Sequence, residues 1–208
     1  MGSEMCIRDR DNPPPMLLRQ PNDDIPNYTK QGFDKAELPR ALLNKIQTFF
    51  KANLQSQVAE EVPGDFIVNS DDNSDTSSVL IDLSPEFREE IHTTLKSMME
   101  EWCGEELIPT FVYGIRAYKR GAVLKCHQDR SETHIISAII NVDQEVDEDW
   151  PLSIEDNYYR HHEVILKPGE IIFYEGGRLS HGRPTPLQGD LFANIFCHFK
   201  PKDYVPRQ

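Results

Sequence analysis

Long hydrophobic runs are missing from this chain of 208 residues, so no segment approaches the roughly 20 apolar residues that a membrane helix needs. Basic runs are missing as well. Lys and Arg number 22 against 35 Asp and Glu, a net charge of −13. That surplus repels the phosphates of duplex nucleic acid, so no nucleic-acid partner is expected. The acidity serves solubility, with a basic partner as the alternative. Cysteine is scarce: four residues, at 6, 103, 126 and 197, with no Cys-x-x-Cys pair. Neither a disulfide frame nor a zinc site is expected, and reduced thiols favour a cytoplasmic setting. Asn27-Tyr28-Thr29 is a formal glycosylation sequon, but such triplets arise often by chance. The start has no signal-peptide form; Met1–Arg10 resembles translated sequencing-adapter read-through and is left out of the fold expectation. The native N-terminus, and any targeting segment in it, stays open. What is present is ordinary: 38% hydrophobic and 27% charged residues, enough for one good-sized core with an appended helical region.

The pattern changes along the chain. Residues 11–35 are rich in Pro, Asn and Asp and read as an extended leader. Residues 36–108 read as a helical support for the same domain. Apolar residues at 38, 42, 43, 46, 49, 50 and 54 recur at helical spacing, and Ser84-Pro85-Glu86 opens a second helix that Gly104 stops. Its apolar face (87, 91, 95, 98, 99, 102) is either core-facing or partner-facing. Between the helices, residues 69–78 are polar enough for a mobile loop. From 109 to 202 the periodicity turns to short β-rich runs, at about 110–118, 122–127, 133–142, 151–155, 162–166, 170–174, 179–183 and 191–199. About eight strands with turn punctuation predict a mainly β fold with flanking helices, a double-stranded β-helix of the jelly-roll or cupin type.

His127-Gln128-Asp129 is the most informative local feature. Residues i and i+2 of a strand share a face, so His127 and Asp129 can aim at one point. His181, on a later strand-like run, can complete two imidazoles and a carboxylate on one side of a metal. That facial set leaves coordination positions open and suits non-haem Fe(II) oxygen chemistry. The bland alternative makes His127 and His181 hydrogen-bonded core histidines.

The context around these residues resembles the Fe(II)/2-oxoglutarate-dependent oxygenases, within them the prolyl 4-hydroxylase-like group, over about residues 110–200. Tyr118-x-x-Gly121-x-x-Leu124-x-x-His127-x-Asp129, Pro168-Gly169-Glu170-Ile171-Ile172-Phe173 and His181-Gly182-Arg183-Pro184 with Gly189 carry the likeness. The resemblance implies Fe(II) on His127, Asp129 and His181, with 2-oxoglutarate chelating the metal and O2 as oxidant. It implies hydroxylation of a C–H bond with release of succinate and CO2. Two neutral imidazoles and one carboxylate leave Fe(II) with a net charge near +1, which favours a dianionic co-substrate.

The co-substrate's far carboxylate needs a cationic partner, and here the pattern departs from the family. Relatives carry Lys or Arg nine or ten residues past the distal His; this chain has Asp190 and Leu191. Arg183, two residues past His181 and so on the same face, is the expected substitute. Tyr118 could donate its hydroxyl, and Asn141 and Asn194 fall at inward-facing strand positions. Leu124 replaces a second Tyr of many relatives by apolar wall. Arg130 and Arg178 are rim candidates or surface residues. Trp150-Pro151 and Tyr158-Tyr159 stand where substrate-covering loops lie, and the acidic run Asp143–Asp149 reads as a solvated loop. The expected substrate is a prolyl or other residue of a protein or peptide, or else a small molecule. A cupin-like metalloprotein without 2-oxoglutarate chemistry and a catalytically silent binding module are the rival readings. Oligomeric state is left open.

Overall fold

The computed structural model describes residues 21–60, 62, 66–70 and 76–206. Expectations for residues 1–20 and for 71–75 of the polar loop lie outside the described residues.

The two helices follow their capping and periodicity signals. α1 (Arg40–Ala52) buries Leu42, Ile46 and Phe50. α2 (Pro85–Cys103) buries Phe87, Ile91, Leu95, Met99 and Cys103, one residue per turn. The Ser84 hydroxyl accepts the Phe87 N–H at 3.2 Å. Gly104, at φ 75°, ends α2 and donates its N–H to the Glu100 carbonyl. Both apolar faces pack into one core with the larger sheet, so the α2 face is core-facing.

Twelve strands pair antiparallel among the described residues: β1 (Phe33–Glu37), β2 (Val58–Ala59), β3 (Ile67–Asn69), β4 (Ser78–Ile81), β5 (Leu107–Tyr118), β6 (Ala122–His127), β7 (Ile136–Val146), β8 (Leu152–Glu155), β9 (His161–Val164), β10 (Glu170–Tyr174), β11 (His181–Arg183) and β12 (Gly189–Pro201). They form a seven-stranded sheet, β1-β10-β7-β12-β5-β4-β2, and a five-stranded sheet, β3-β6-β11-β8-β9. The eight strands from β5 onward are those expected from the β-rich runs, and they divide evenly between the two sheets. Together they make the double-stranded β-helix. Strand alternation sorts their side chains. On β7, Ile136, Ala138, Ile140 and Val142 face the helices, while Ile139 packs between the sheets. Ser137 and Asn141 share the inner face with Ile139.

The described part of the leader packs on the fold: Ile25 is buried, Asn22 N–H donates to the Arg178 carbonyl at 2.8 Å, and Thr29 donates its N–H and hydroxyl to Glu175. Two expectations need correction. The segment from 33 to 81 adds β1 through β4 to the two helices and extends both sheets. These strands are short or lie at sheet edges, so their apolar alternation is too brief to register beside the helical pattern. The acidic run is strand as far as Val146, with Asp143 opposite Ala193 and Glu145 opposite Leu191. Backbone ladders form there because the charged side chains need only point to solvent.

Candidate metal and co-substrate site

β6 and β11 lie side by side in the smaller sheet, with His127 directly opposite His181. The approach is close: a Cβ on Gly182 would stand 2.8 Å from both the Cα and the backbone N of Cys126. Glycine at 182 lets the two histidine-bearing strands meet. Asp129 follows on the turn after β6 and donates its backbone N–H to the Gly176 carbonyl at 2.8 Å. One ligand atom from each of His127, Asp129 and His181 falls within 4.8 Å of the others. Asp129 Oδ1 lies 3.7 Å from His127 Nε2 and 3.6 Å from His181 Nε2.

The ring orientations favour a metal over a simple hydrogen-bonded cluster. His127 Nδ1 lies 2.8 Å from the Lys125 carbonyl, and His181 Nδ1 lies 2.9 Å from the Leu179 carbonyl. A carbonyl only accepts, so each Nδ1 carries the proton and each Nε2 keeps its lone pair. Burial, with help from the His181 imidazole, depresses the His127 pKa to about 4, so this ring is neutral at pH 7. Burial alone would raise the Asp129 carboxyl. The imidazoles of His181, His198 and His127 outweigh that and hold it well below the usual carboxylate range. Two imidazole nitrogens and one carboxylate oxygen, aimed at one point, fit a divalent ion.

Asp129 Oδ2 points away from the two Nε2 atoms. It accepts from the Ser137 hydroxyl at 3.1 Å and from the Tyr174 hydroxyl at 3.2 Å. Ser137 Oγ in turn lies 2.9 Å from His198 Nδ1. His198 stacks on His134 with ring centroids 3.8 Å apart. Burial pushes the His198 pKa down to about 3. Burial, then the Asp129 charge, pushes the Tyr174 hydroxyl well above its ordinary pKa, so it stays a donor.

A cavity of about 110 Å³ opens on the triad, walled by Leu124, Ile139 and Phe196 and by Tyr113 and Arg116 of β5. Leu124 is thus the apolar wall that was expected. Arg116 was not anticipated, although it shares the inward face of β5 with Tyr118. Its guanidinium lies between Tyr113 and Phe196 and is held by Glu60, with Nε to Oε2 at 2.8 Å. Glu60 also accepts from Tyr113 and Ser78. Burial raises the Glu60 pKa, but the hydrogen bonds and charge of Arg116 prevail and lower it.

Arg183 does not line that cavity and is 1% exposed. Its guanidinium sits over Phe192 at 4.4 Å and Trp150 at 4.9 Å. Nη1 donates to the Trp150 carbonyl, while Nη2 is buried with no partner. Burial lowers its pKa to about 10. Tyr118, fully buried, packs edge-on against Trp150 and lies 3.4 Å by its hydroxyl from Arg116 Nη1. Asn141 and Asn194 stand opposite each other on β7 and β12, both buried, and Oδ1 of each lacks a partner. Asn141 turns its amide toward Gln144 and the Leu166 carbonyl, away from the triad. Neither Asn lines the triad cavity.

Asp190, which stands where relatives carry a basic residue, faces away from the pocket into solvent. Its side chain is 73% exposed and pairs with Arg120 at 2.8 Å, and Leu191 packs on the main core. Arg130 is exposed. Arg178 is buried and tied to Asn22, Asp23, Ile25 and Asn157, so it secures the leader. Trp150 is buried, its indole N–H on the Thr185 carbonyl. Tyr158 and Tyr159 are about half exposed.

Solved structures carry the same fold. AviO1 from Streptomyces viridochromogenes Tue57 superposes with a TM-score of 0.62 at 14% identity, covering 88% of this chain and 95% of its own. A prolyl hydroxylase from Trichoplax adhaerens, in complex with a hypoxia inducible factor oxygen degradation domain peptide, gives 0.60 at 12% identity, covering 81% and 83%. HygX from Streptomyces hygroscopicus, with nickel, 2-oxoglutarate and hygromycin B bound, gives 0.58 at 12% identity, covering 86% of each chain. No protein-family model matches the sequence, and no curated protein matches it by sequence. The chain shares the fold of these solved structures at 12–14% identity.

Proposed function

We propose that this chain is an Fe(II)- and 2-oxoglutarate-dependent dioxygenase that hydroxylates a C–H bond. The observation that carries the reading is the meeting of His127 Nε2, His181 Nε2 and Asp129 Oδ1 within 4.8 Å, with both lone pairs freed by backbone acceptors. Bound there, Fe(II) with 2-oxoglutarate and O2 supplies an oxidant that converts C–H to C–OH as the 2-oxo acid becomes succinate and CO2.

The chain's own residues divide the remaining work. His127, Asp129 and His181 hold the ion. Arg183 takes the far carboxylate of the co-substrate: its buried Nη2 has no partner, and a charge in that state gains most from an anion. Tyr118, Asn141 and Asn194 are the further polar groups assigned to the co-substrate, although none of them lines the triad cavity. Leu124, Ile139 and Phe196 keep water from the reacting centre. Arg116 is already neutralised by Glu60, which leaves Arg183 as the cation free for the dicarboxylate.

The substrate we favour is a prolyl or other residue in a protein or peptide, in line with the peptide held by the Trichoplax enzyme. A small molecule is the second choice, supported by the hygromycin B in HygX. The exposed Tyr158 and Tyr159 lie on the β8–β9 turn, at the barrel end where β6 delivers its ligands, and suit contact with either.

One observation favours a rival, a metalloprotein that makes no use of 2-oxoglutarate: no Lys or Arg stands at 190 or 191. Turnover separates the two. Purified protein should release succinate from 2-oxoglutarate only when Fe(II) is supplied, and His127→Ala should abolish that release. Protein that binds Fe(II) yet never consumes 2-oxoglutarate would establish the rival.

A further inference from the structure

The hydrogen bonds behind Asp129 carry an inference that rests on the functional reading above and deepens it. A metal-ligating Asp can bind through one oxygen or two, and its terminal torsion is broad and roughly two-fold. If both oxygens bound, one coordination position needed by a chelating co-substrate would be filled. Nothing on β6 prevents this, because Asp129 lies beyond the strand's last residue, His127.

The constraint comes from the opposite sheet. Ser137 of β7 and Tyr174 of β10 both donate to Oδ2, at 3.1 and 3.2 Å. Oδ1 is left facing the two imidazoles. His198 of β12 stands behind Ser137. Because Ser137 gives its one hydroxyl proton to Asp129, the His198 Nδ1 that lies 2.9 Å from Ser137 Oγ must be the donor of that contact. All three supports are at most 6% exposed, so water cannot replace a lost donor. Gly176 completes the seat: a Cβ there would come within 2.2 Å of Oδ2, so the carboxylate rests directly against the main chain.

We propose that Tyr174, Ser137 and, through Ser137, His198 are positioning residues that hold Asp129 as a single-oxygen metal ligand. Neither hydroxyl need touch the ion. Their effect is to remove the rotational freedom of the carboxylate before the metal arrives. Partners that orient a ligand in this way are typically worth about 10–100-fold in metal affinity.

The test is Mn(II) titration by calorimetry on wild type, Tyr174→Phe, Ser137→Ala and the double variant, without 2-oxoglutarate or substrate. Phe keeps the ring packed on His181, 4.6 Å away between centroids. Thermal unfolding of each metal-free variant separates orientation from folding. Each single variant should bind Mn(II) about tenfold more weakly, the double variant more weakly still, while the metal-free unfolding midpoints stay close to wild type. Wild type that binds Mn(II), with all three variants within twofold of it, would overturn this inference and leave the functional reading standing. Affinity losses that only track losses of metal-free stability would overturn it too. Wild type that takes up no Mn(II) would overturn both.

Discussion

Arg116 and Arg183 call for opposite behaviour on substitution. Arg116 has its counter-charge in Glu60, whereas Arg183 has a carbonyl, two aromatic faces and an idle Nη2. Taking an unpaired cation out of water costs several kcal/mol, and a desolvated contact with aromatic faces returns about 2 kcal/mol or somewhat more. Arg183→Met should therefore stabilise the metal-free protein by roughly 1–3 kcal/mol while greatly raising its requirement for 2-oxoglutarate. Arg116→Met should instead destabilise it, by about 3–5 kcal/mol, because Glu60 would be left buried and unpaired. Urea denaturation of both variants reads the two signs, and equal destabilisation would show that Arg183 is structural. At this scale the meeting of His127, Asp129 and His181 was legible in the spacing, although Asp129 lies past the end of β6 and not on the strand itself. Ser137, Tyr174 and His198 were not singled out, yet the alternation that turns Asn141 and Asn194 inward does the same for Ser137 and His198. Arg116 was hidden differently: Glu60, 56 residues earlier in sequence, shapes its environment.

Among the elements, β6 and β11 matter most, since their pairing sets His127 opposite His181. Gly182 permits it. In Gly182→Ala the new methyl meets the Cys126 backbone, which cannot step aside as a side chain could. The variant should keep its helical circular dichroism and lose Mn(II) affinity by at least tenfold, the scale seen when a ligand is misplaced, although no ligand has changed. Unchanged affinity would mean that the strand contact does not set the site. The later eight strands could be read from the sequence because turns punctuate their β-rich runs. β1 could not: Phe-Asp-Lys-Ala-Glu leaves most of its length half-exposed or exposed, and its place beside β10 depends on the sheet it joins. β2 has two residues, too few for any pattern.

For the whole molecule, the buried imidazoles set the response to acid. His127 and His198 have folded pKa values of about 4 and about 3 against 6.5 in an unfolded chain. As pH falls through 6.5 the unfolded chain gains protons that the folded one refuses, so stability drops. For His127 the loss accumulates down to about pH 4, and a shift of that size is worth about 3 kcal/mol. The Asp129 carboxyl, depressed when folded, adds its own loss only below its unfolded value of 3.8. The urea midpoint of metal-free protein should thus fall steadily between pH 7 and 4.5, and a flat profile would mean that these rings are solvated. Acid sensitivity, metal binding and co-substrate use all return to the same convergence of side chains between the two sheets. A crystal structure with Mn(II) and N-oxalylglycine, a non-reacting mimic of 2-oxoglutarate, tests that convergence most directly. The account predicts the ion on His127 Nε2, Asp129 Oδ1 and His181 Nε2, with the mimic's far carboxylate on Arg183 Nη2. An ion bound elsewhere, or a carboxylate seated away from Arg183, would contradict it.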